Sequence, residues 1–599
     1  MAQFKNISQS QKKTLTVDKF GGVDLTNSQA KISFSRSPNA VNMIRDSLGK
    51  VKKRFGYKKI YSFEDCIFGI FYFIKGNERK MVIHSGSKLY IESEDGYEVI
   101  FENLNEKNSQ GVQFGNKLVI ADGKKLIYYD GEKAGYIEDI AYQPTLVTGR
   151  SNTGGGTFLD SANILSTVRT ESYKCDGYMK TFQLASQNIK SIKSIKFNFN
   201  NLGWRDYLEE GHPYWLNTNK STLELDFAIT AAVGEDNCVI TYEVERNEDN
   251  FNTINTASFL TLYGAYGAMD RLFVGGNSTY ANRDYYSELN DPTYFPDTNY
   301  GVFGSEENPI VGYSLVSDNL CVHKTNELSN ANMILRYGTV DDEGNATFKI
   351  TGTCVGDGAV SKEAFAHLDS EPAYLTPNGI CAITPSDIMG ERFSQLRSYY
   401  LNGKLLNEDS FSKASAVTYK SFFMLLVGEK IYILDSMNPS TEERNLYSHR
   451  QYEGYIWDNI PANILFSDGE KLMFGGKNGE LCVFYDNEED ENCYLDDGKP
   501  VEAYWQFPKF LGDDYSKKKT IMHFSVLFDD YSKNTKIQYK NMTGQWQDVA
   551  LKNSNRMFVS KRLHIKNSED AEIRIINSEN EALKINTVKI SYINNGRIK

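Results

Sequence analysis

Proline is scarce in this chain, at 13 of 599 residues, which excludes a proline-rich stalk or linker array. Long hydrophobic runs are missing as well. The longest, such as Cys66-Ile67-Phe68-Gly69-Ile70-Phe71-Tyr72-Phe73-Ile74, fall far short of the ~20 residues a spanning helix needs, so no membrane span is expected. Met1–Ile7 lack the apolar core of a signal peptide, and no secretion route is expected from them. Cys66, Cys175, Cys238, Cys321, Cys354, Cys381, Cys482 and Cys493 form no Cys-x-x-Cys pair and lie mostly in apolar stretches. That spacing predicts reduced, partly buried thiols made in a cytoplasm rather than a disulfide frame or a zinc site. The seven histidines are scattered, and only His323 has a cysteine close by, Cys321, with no further ligand pair. There is no Gly-x-Ser-x-Gly elbow and no P-loop, and Gly154-Gly155-Gly156 lacks the following Lys-Ser/Thr, so it reads as a flexible linker. No metal, no cofactor and no enzymatic motif is therefore expected.

What the chain does have is aromatic residues and glycine, with 38 Tyr, 34 Phe and 46 Gly. This composition favours strands over helices, and the length implies two to four domains. A hairpin recurs. Met81-Val82-Ile83, a Gly-containing turn and Lys88-Leu89-Tyr90 are echoed 37 residues later by Leu118-Val119-Ile120 and Lys125-Leu126-Ile127. The same unit returns at Met424–Asp435 and, 48 residues on, at Leu472–Asp486, with further inner strands at Leu272–Gly276 and Gly312–His323. Short antiparallel strands with a period near forty indicate a β-propeller.

The repeats are interrupted. Between residues 148 and 250, alternating strands such as Lys180–Leu184, Ile192–Phe199 and Gly234–Val244 read as an inserted β-sandwich, a domain suited to contacts rather than chemistry. After Trp505-Gln506-Phe507-Pro508 the pattern shifts again, and Ile521–Phe528, Lys536–Tyr539, Ala571–Ile576 and Val588–Ile593 predict a C-terminal β-sandwich. The fold expected is all-β: an N-terminal clasp over 1–60, propeller over 61–147 and 251–500, the insertion over 148–250, and the terminal sandwich over 501–599. The acidic run at Asp486, Glu488, Glu489, Asp490 and Glu491 lacks the spacing and glycine of an EF-hand loop and reads as a solvated loop.

Charge is unevenly spread. Residues 1–60 carry a net of +10 and the remainder −22. A basic arm beside an acidic body suits docking onto an acidic surface, on a neighbouring copy or another protein. Lys52, Lys53 and Arg54 are the candidate contact residues. Nucleic acid is the sharper reading of the arm, but no aromatic-interleaved or helical reader pattern accompanies it.

The opening stretch contains Phe20-Gly21-Gly22-Val23-Asp24-Leu25, Ser37-Pro38-Asn39-Ala40-Val41-Asn42-Met43 and Lys52-Lys53-Arg54-Phe55-Gly56-Tyr57. Rich in Gly and polar residues, it reads as a clasp laid over a larger body. Its Gly-Gly-apolar opening, the Asn before Arg45-Asp46 and the basic-Arg-x-Gly-Tyr strand start resemble the N-terminus of tailed-phage tail-nozzle and tail-hub proteins, whose core is a β-propeller. Asn282–Pro296, Gly358–Ser361 and Tyr374–Ile383 are similar to later passages of that family, so the resemblance spans most of residues 18–500.

The resemblance implies a structural protein of a phage virion, assembled in the host cytoplasm. It implies a cyclic ring of copies, commonly six-fold, at the distal tail, with a portal-adaptor or other tail protein as neighbour and fibres or spikes as possible partners. Double-stranded DNA would pass through transiently, and the protein would take part in genome retention and ejection. An acidic lumen fits that passage, because it offers a phosphate backbone little counterion-release gain. Two other classes stay open. A glycan- or receptor-binding propeller would use aromatics such as Tyr285, Tyr286, Tyr294 and Phe295 as stacking platforms, against the plainer reading that they pack between blades. A glycoside hydrolase would need a carboxylate pair that 78 acidic residues do not single out.

Overall fold

The computed structural model describes residues 11–47, 49–198, 203–229, 236–325, 331–385, 392–439, 451–531, 534–540, 544–550 and 557–597. Met1–Ile7, Phe199, Gly234, Glu235 and His449, which entered the readings above, lie outside the described residues.

Apolar runs too short for helices form the middle strands of small antiparallel sheets. Phe422–Val427 is buried along its whole length, as are Lys117–Ala121, apart from its first residue, and Leu126–Tyr129. A strand in the middle of a sheet that is covered on both faces needs such continuous runs, rather than simple alternation. Stacked sheets of this kind are the blades of a propeller, seven among the described residues. Blade 1 begins at Ile67–Lys75, blade 2 at Gln110–Phe114 and blade 3 at Phe259–Tyr263. Blades 4, 5, 6 and 7 begin at Ile310–Val316, Phe365–Leu368, Ser415–Tyr419 and Ala462–Ser467. These innermost strands touch one another in order, and the ring closes where Ala462–Ser467 meets Ile67–Lys75. The hairpins read from the sequence are the second and third strands of their blades.

Blade 7 is completed from the other end of the chain. Its outermost strand is Tyr57–Ser62, antiparallel to Glu480–Phe484. The basic-Arg-x-Gly-Tyr stretch thus ends in the strand that locks the propeller. Between blades 2 and 3 the chain leaves to build the inserted sandwich, from Thr145–Arg150 to Cys238–Val244, with a six-stranded and a three-stranded sheet around its own core. A short helix, Glu248–Asn255, capped by the Asn247 side chain, returns the chain to the propeller.

The terminal sandwich is founded on two 15-residue strands, Lys517–Tyr531 and Leu583–Arg597, paired along their length. Lys13–Val17 and Val51–Lys53 both join the free edge of Leu583–Arg597, and Met43–Arg45 extends that sheet. The opposing sheet comprises Ala503–Gln506, Ile573–Asn577, Lys536–Lys540 and Trp546–Ala550. One continuous apolar core holds Phe20, Val23 and Met43 of the clasp, Leu425 and Tyr455 of blade 6, and Trp505 and Ile590 of the sandwich.

Candidate functional site

Among the described residues, polar side chains gather away from solvent at the seat of the clasp and at one mouth of the propeller axis, among other places.

At the clasp, close backbone approach decides residue type. Gly22 has φ of 78°, and a Cβ there would lie 2.5 Å from the Gly454 carbonyl oxygen. Gly56 passes so near Leu495 that a Cβ would meet its carbonyl oxygen at 1.9 Å. Asn42, with φ of 56°, ties three elements together. Its amide oxygen accepts from Arg54 Nε and from the Asp458 backbone, both at 2.9 Å, and its NH2 donates to the Glu502 carbonyl at 2.8 Å. Arg54 then grips Asp496 with both terminal nitrogens, at 2.8 and 2.6 Å.

Lys53 and Arg54, expected from the sequence to reach a partner, are therefore buried in their own chain. Lys53 donates to Asn577 Oδ1 at 2.8 Å and to the Glu579 carbonyl at 2.5 Å. Burial, and next the neighbouring Arg54, pull its ammonium down to about 7. Lys52 stays partly exposed, 3.3 Å from Asp46 and over the Phe55 ring.

The charge asymmetry is met within the molecule. Lys13 pairs with Asp513, Arg45 with Asp435, Lys50 with Asp529 and Lys58 with Asp490. The acidic run also contributes Glu488, which accepts from Lys584 at 2.7 Å and from the Tyr494 hydroxyl at 2.9 Å. The run is the solvated loop the sequence suggested, with Asp486, Glu488, Glu489 and Glu491 exposed, and it also tethers Lys58 and Lys584. Among the described residues, no cluster of three or more His, Cys, Asp or Glu has the arrangement of a metal site.

At the axis, the inner strands enclose a cavity of about 390 Å³, whose polar lining includes Ser109, Gln110, Lys362, Glu363 and Ser415. Lys362, leading into blade 5, reaches across to donate to the carbonyls of Asn108 at 2.8 Å and Ser258 at 3.0 Å. Gln110 donates to the Lys362 carbonyl at 2.7 Å and to Glu363 Oε2 at 3.2 Å. Asn463 of blade 7 donates to the Ile67 carbonyl and to Asn108 Oδ1. This knot ties blades 1, 2, 3, 5 and 7.

Burial pushes the Glu363 carboxyl up, while Lys362, 3.5 Å away, pulls it down. Its Oε1 faces the Lys362 ammonium at 3.5 Å. Glycoside hydrolysis by the usual route needs a second carboxyl group roughly 5–9.5 Å away. Among the described residues lining this cavity, Glu363 is the sole carboxylate. Sequence reading missed the knot, because its members sit in separate inter-blade connections and carry no motif.

Tyr285, Tyr286, Tyr294 and Phe295, weighed above as stacking platforms, are buried. Beside them Asp284 is fully buried and takes both oxygens to Arg336 Nη1, at 2.8 and 2.9 Å, joining blade 3 to blade 4. His323 is a core residue, its Nε2 2.6 Å from Ser314 Oγ and its ring against Phe365 and Tyr374; burial draws it down to about 3.

No protein-family model and no curated protein matches the chain. Among solved structures, a computationally designed protein, Ika8, is 9% identical, with 72% of this chain and 98% of that chain covered at a TM-score of 0.32. An exo-β-1,3-galactanase from Phanerochaete chrysosporium is 10% identical, with 55% and 96% covered at a TM-score of 0.21. A glycoside hydrolase is 9% identical, with 88% and 98% covered at a TM-score of 0.20. Likeness at these scores carries no functional argument.

Proposed function

We propose that this chain is a structural protein of a tailed-phage virion, acting in a ring of copies around the DNA exit path at the tail nozzle or hub. The observation that supports this reading is the clasp. The residues that carry the family resemblance, Gly22, Asn42, Arg54 and Gly56, are those whose backbone or side-chain geometry seats the N-terminal segment between propeller and terminal sandwich. A scaffold under mechanical load gains from such a joint, because it fixes two domains as one body.

The axis of the propeller is no conduit. A duplex whose major groove alone is about 12 Å wide does not thread a cavity crossed by Lys362. DNA would pass between copies, so the function requires an assembly. Native mass spectrometry with negative-stain imaging in low salt, on the chain alone and mixed with neighbouring virion proteins, tests this. A closed ring with an open lumen is the expected result. A chain that stays monomeric in both mixtures overturns the reading.

A further inference from the structure

The propeller buries Tyr285, Tyr286, Tyr294 and Phe295, whereas the inserted sandwich displays tryptophans. Trp215 is 56% exposed and Trp204 51%. Trp215 lies on Tyr214–Asn217, whose pairing puts Trp215, Glu224 and Thr181 in one cross-strand row. Two residues along, Asn217, Thr222 and Gln183 form a second row on the same face. The intervening Leu216, Leu223 and Phe182 point into the domain core. At about 3.3–3.4 Å per residue the two rows stand about 7 Å apart, so an indole platform adjoins a row of amide and hydroxyl groups.

That face runs, past Asn217 at its rim, into a groove of about 610 Å³ between residues 183–189 and 218–221. Gln183 fixes its floor by donating to the carbonyls of Lys220 and Ser221, at 3.0 and 3.3 Å. Asn217 accepts from the Lys220 backbone at 3.2 Å and keeps its NH2 available. Gln187, Asn188 and Asn219 line the groove with exposed side chains.

Each side-chain amide offers a donor and an acceptor in one plane, the combination that neighbouring sugar hydroxyls require. The indole supplies an apolar face for the C–H side of a pyranose ring. The groove has one cation, Lys220, and one anion, Glu245, and the adjoining face adds Glu224. No positive excess is present to hold a phosphate backbone. A protein partner would want a desolvated apolar centre, which a groove of amides does not provide.

We propose that the inserted sandwich binds a neutral oligosaccharide, one sugar ring stacked on Trp215 and its neighbours hydrogen-bonded by Asn217, Gln187 and Asn219. This goes beyond the tail assignment and stands apart from it, since the site lies within one copy. The test applies the full-length chain to a printed array of neutral oligosaccharides, then titrates the retained glycan by tryptophan fluorescence. Retention of at least one neutral glycan is expected. Trp215→Ala should weaken it at least tenfold and Asn219→Ala several-fold, with melting temperature unchanged because both side chains are exposed. Trp204→Ala, on the other sheet, should bind as the parent does, and raising the salt to 0.5 M should leave affinity intact. No retention on the array, equal binding by Trp215→Ala, or retention confined to anionic glycans and lost in salt would each overturn the proposal.

Discussion

Arg54 shows what a single charged residue does when folded inside the protein. Its guanidinium is buried and clasps Asp496 with both terminal nitrogens. Removing one member of such a pair leaves a desolvated charge, at a cost of ~3–5 kcal/mol. Asp496→Asn should therefore lower the urea midpoint far more than Asp497→Asn, whose parent side chain is exposed and lies 4.0 Å from Lys59. Equal midpoints would remove Arg54 as the clasp's main anchor. His84 makes a pH prediction. It is fully buried, with Nε2 donating to the Gly86 carbonyl at 3.0 Å and Nδ1 accepting from Ser109 Oγ at 2.8 Å. Burial draws it down to about 4. Unfolded, it titrates near 6.5, so the unfolded chain binds the extra proton, and stability is lost as pH falls from about 6.5 to about 4. Denaturation curves at pH 7 and pH 4.5 should converge by roughly 2–3 kcal/mol in His84→Gln relative to the parent. Lys53 works in the opposite window. With its folded value near 7, stability should rise between about pH 7 and 10, and Lys53→Met should flatten that rise.

At the level of elements, the N-terminal segment counts as strand, not as appendage. Lys13–Val17 and Val51–Lys53 cover one edge of the terminal sandwich, and Tyr57–Ser62 covers the edge of blade 7. Deleting residues 1–62 uncovers both edges, and exposed edges pair with other chains. The truncated protein should aggregate in light scattering, and a synthetic peptide of residues 11–62 should restore monodispersity. A monomeric truncation would show the edges to be harmless. The blades themselves were legible because Gly turns separate runs such as Met81–Ser85 and Lys88–Ile91 at a steady spacing. The closing strand was not, since nothing in Tyr57–Ser62 announces that its partner is Glu480–Phe484. Sequence reading likewise expected Lys53 and Arg54 to face outward, because a basic triplet looks the same whether its acidic counterpart is intramolecular or on a partner. The plainer reading of Tyr285, Tyr286, Tyr294 and Phe295, packing rather than stacking on a ligand, agrees with their burial. Trp215 carried a signal, alternation with Leu216 in an insertion, that went unused.

For the whole molecule, the arm and body behave as two oppositely charged parts of one structure. Lys13–Asp513, Lys50–Asp529 and Lys58–Asp490 lie at the surface, where salt at 0.1 M screens beyond about 10 Å. The Arg54–Asp496 and Arg45–Asp435 pairs are largely withdrawn from solvent. Hydrogen exchange in 0.5 M salt should thus quicken over residues 13–17 by a few-fold and leave residues 43–54 protected. Uniform acceleration across both would mean that the clasp is held by charge alone.

The strand that completes blade 7 is made early, yet its partner lies more than 400 residues downstream. At about 5–20 residues per second, the ribosome leaves Tyr57–Ser62 waiting some tens of seconds for Glu480–Phe484 to emerge. Six blades can pack as they appear, but the circle stays open until synthesis is nearly done. Closure is therefore a late event, and a product that stops before Glu480–Phe484 would remain open and sticky. A propeller closed in this way cannot be assembled into anything larger until both ends of its ring have been made.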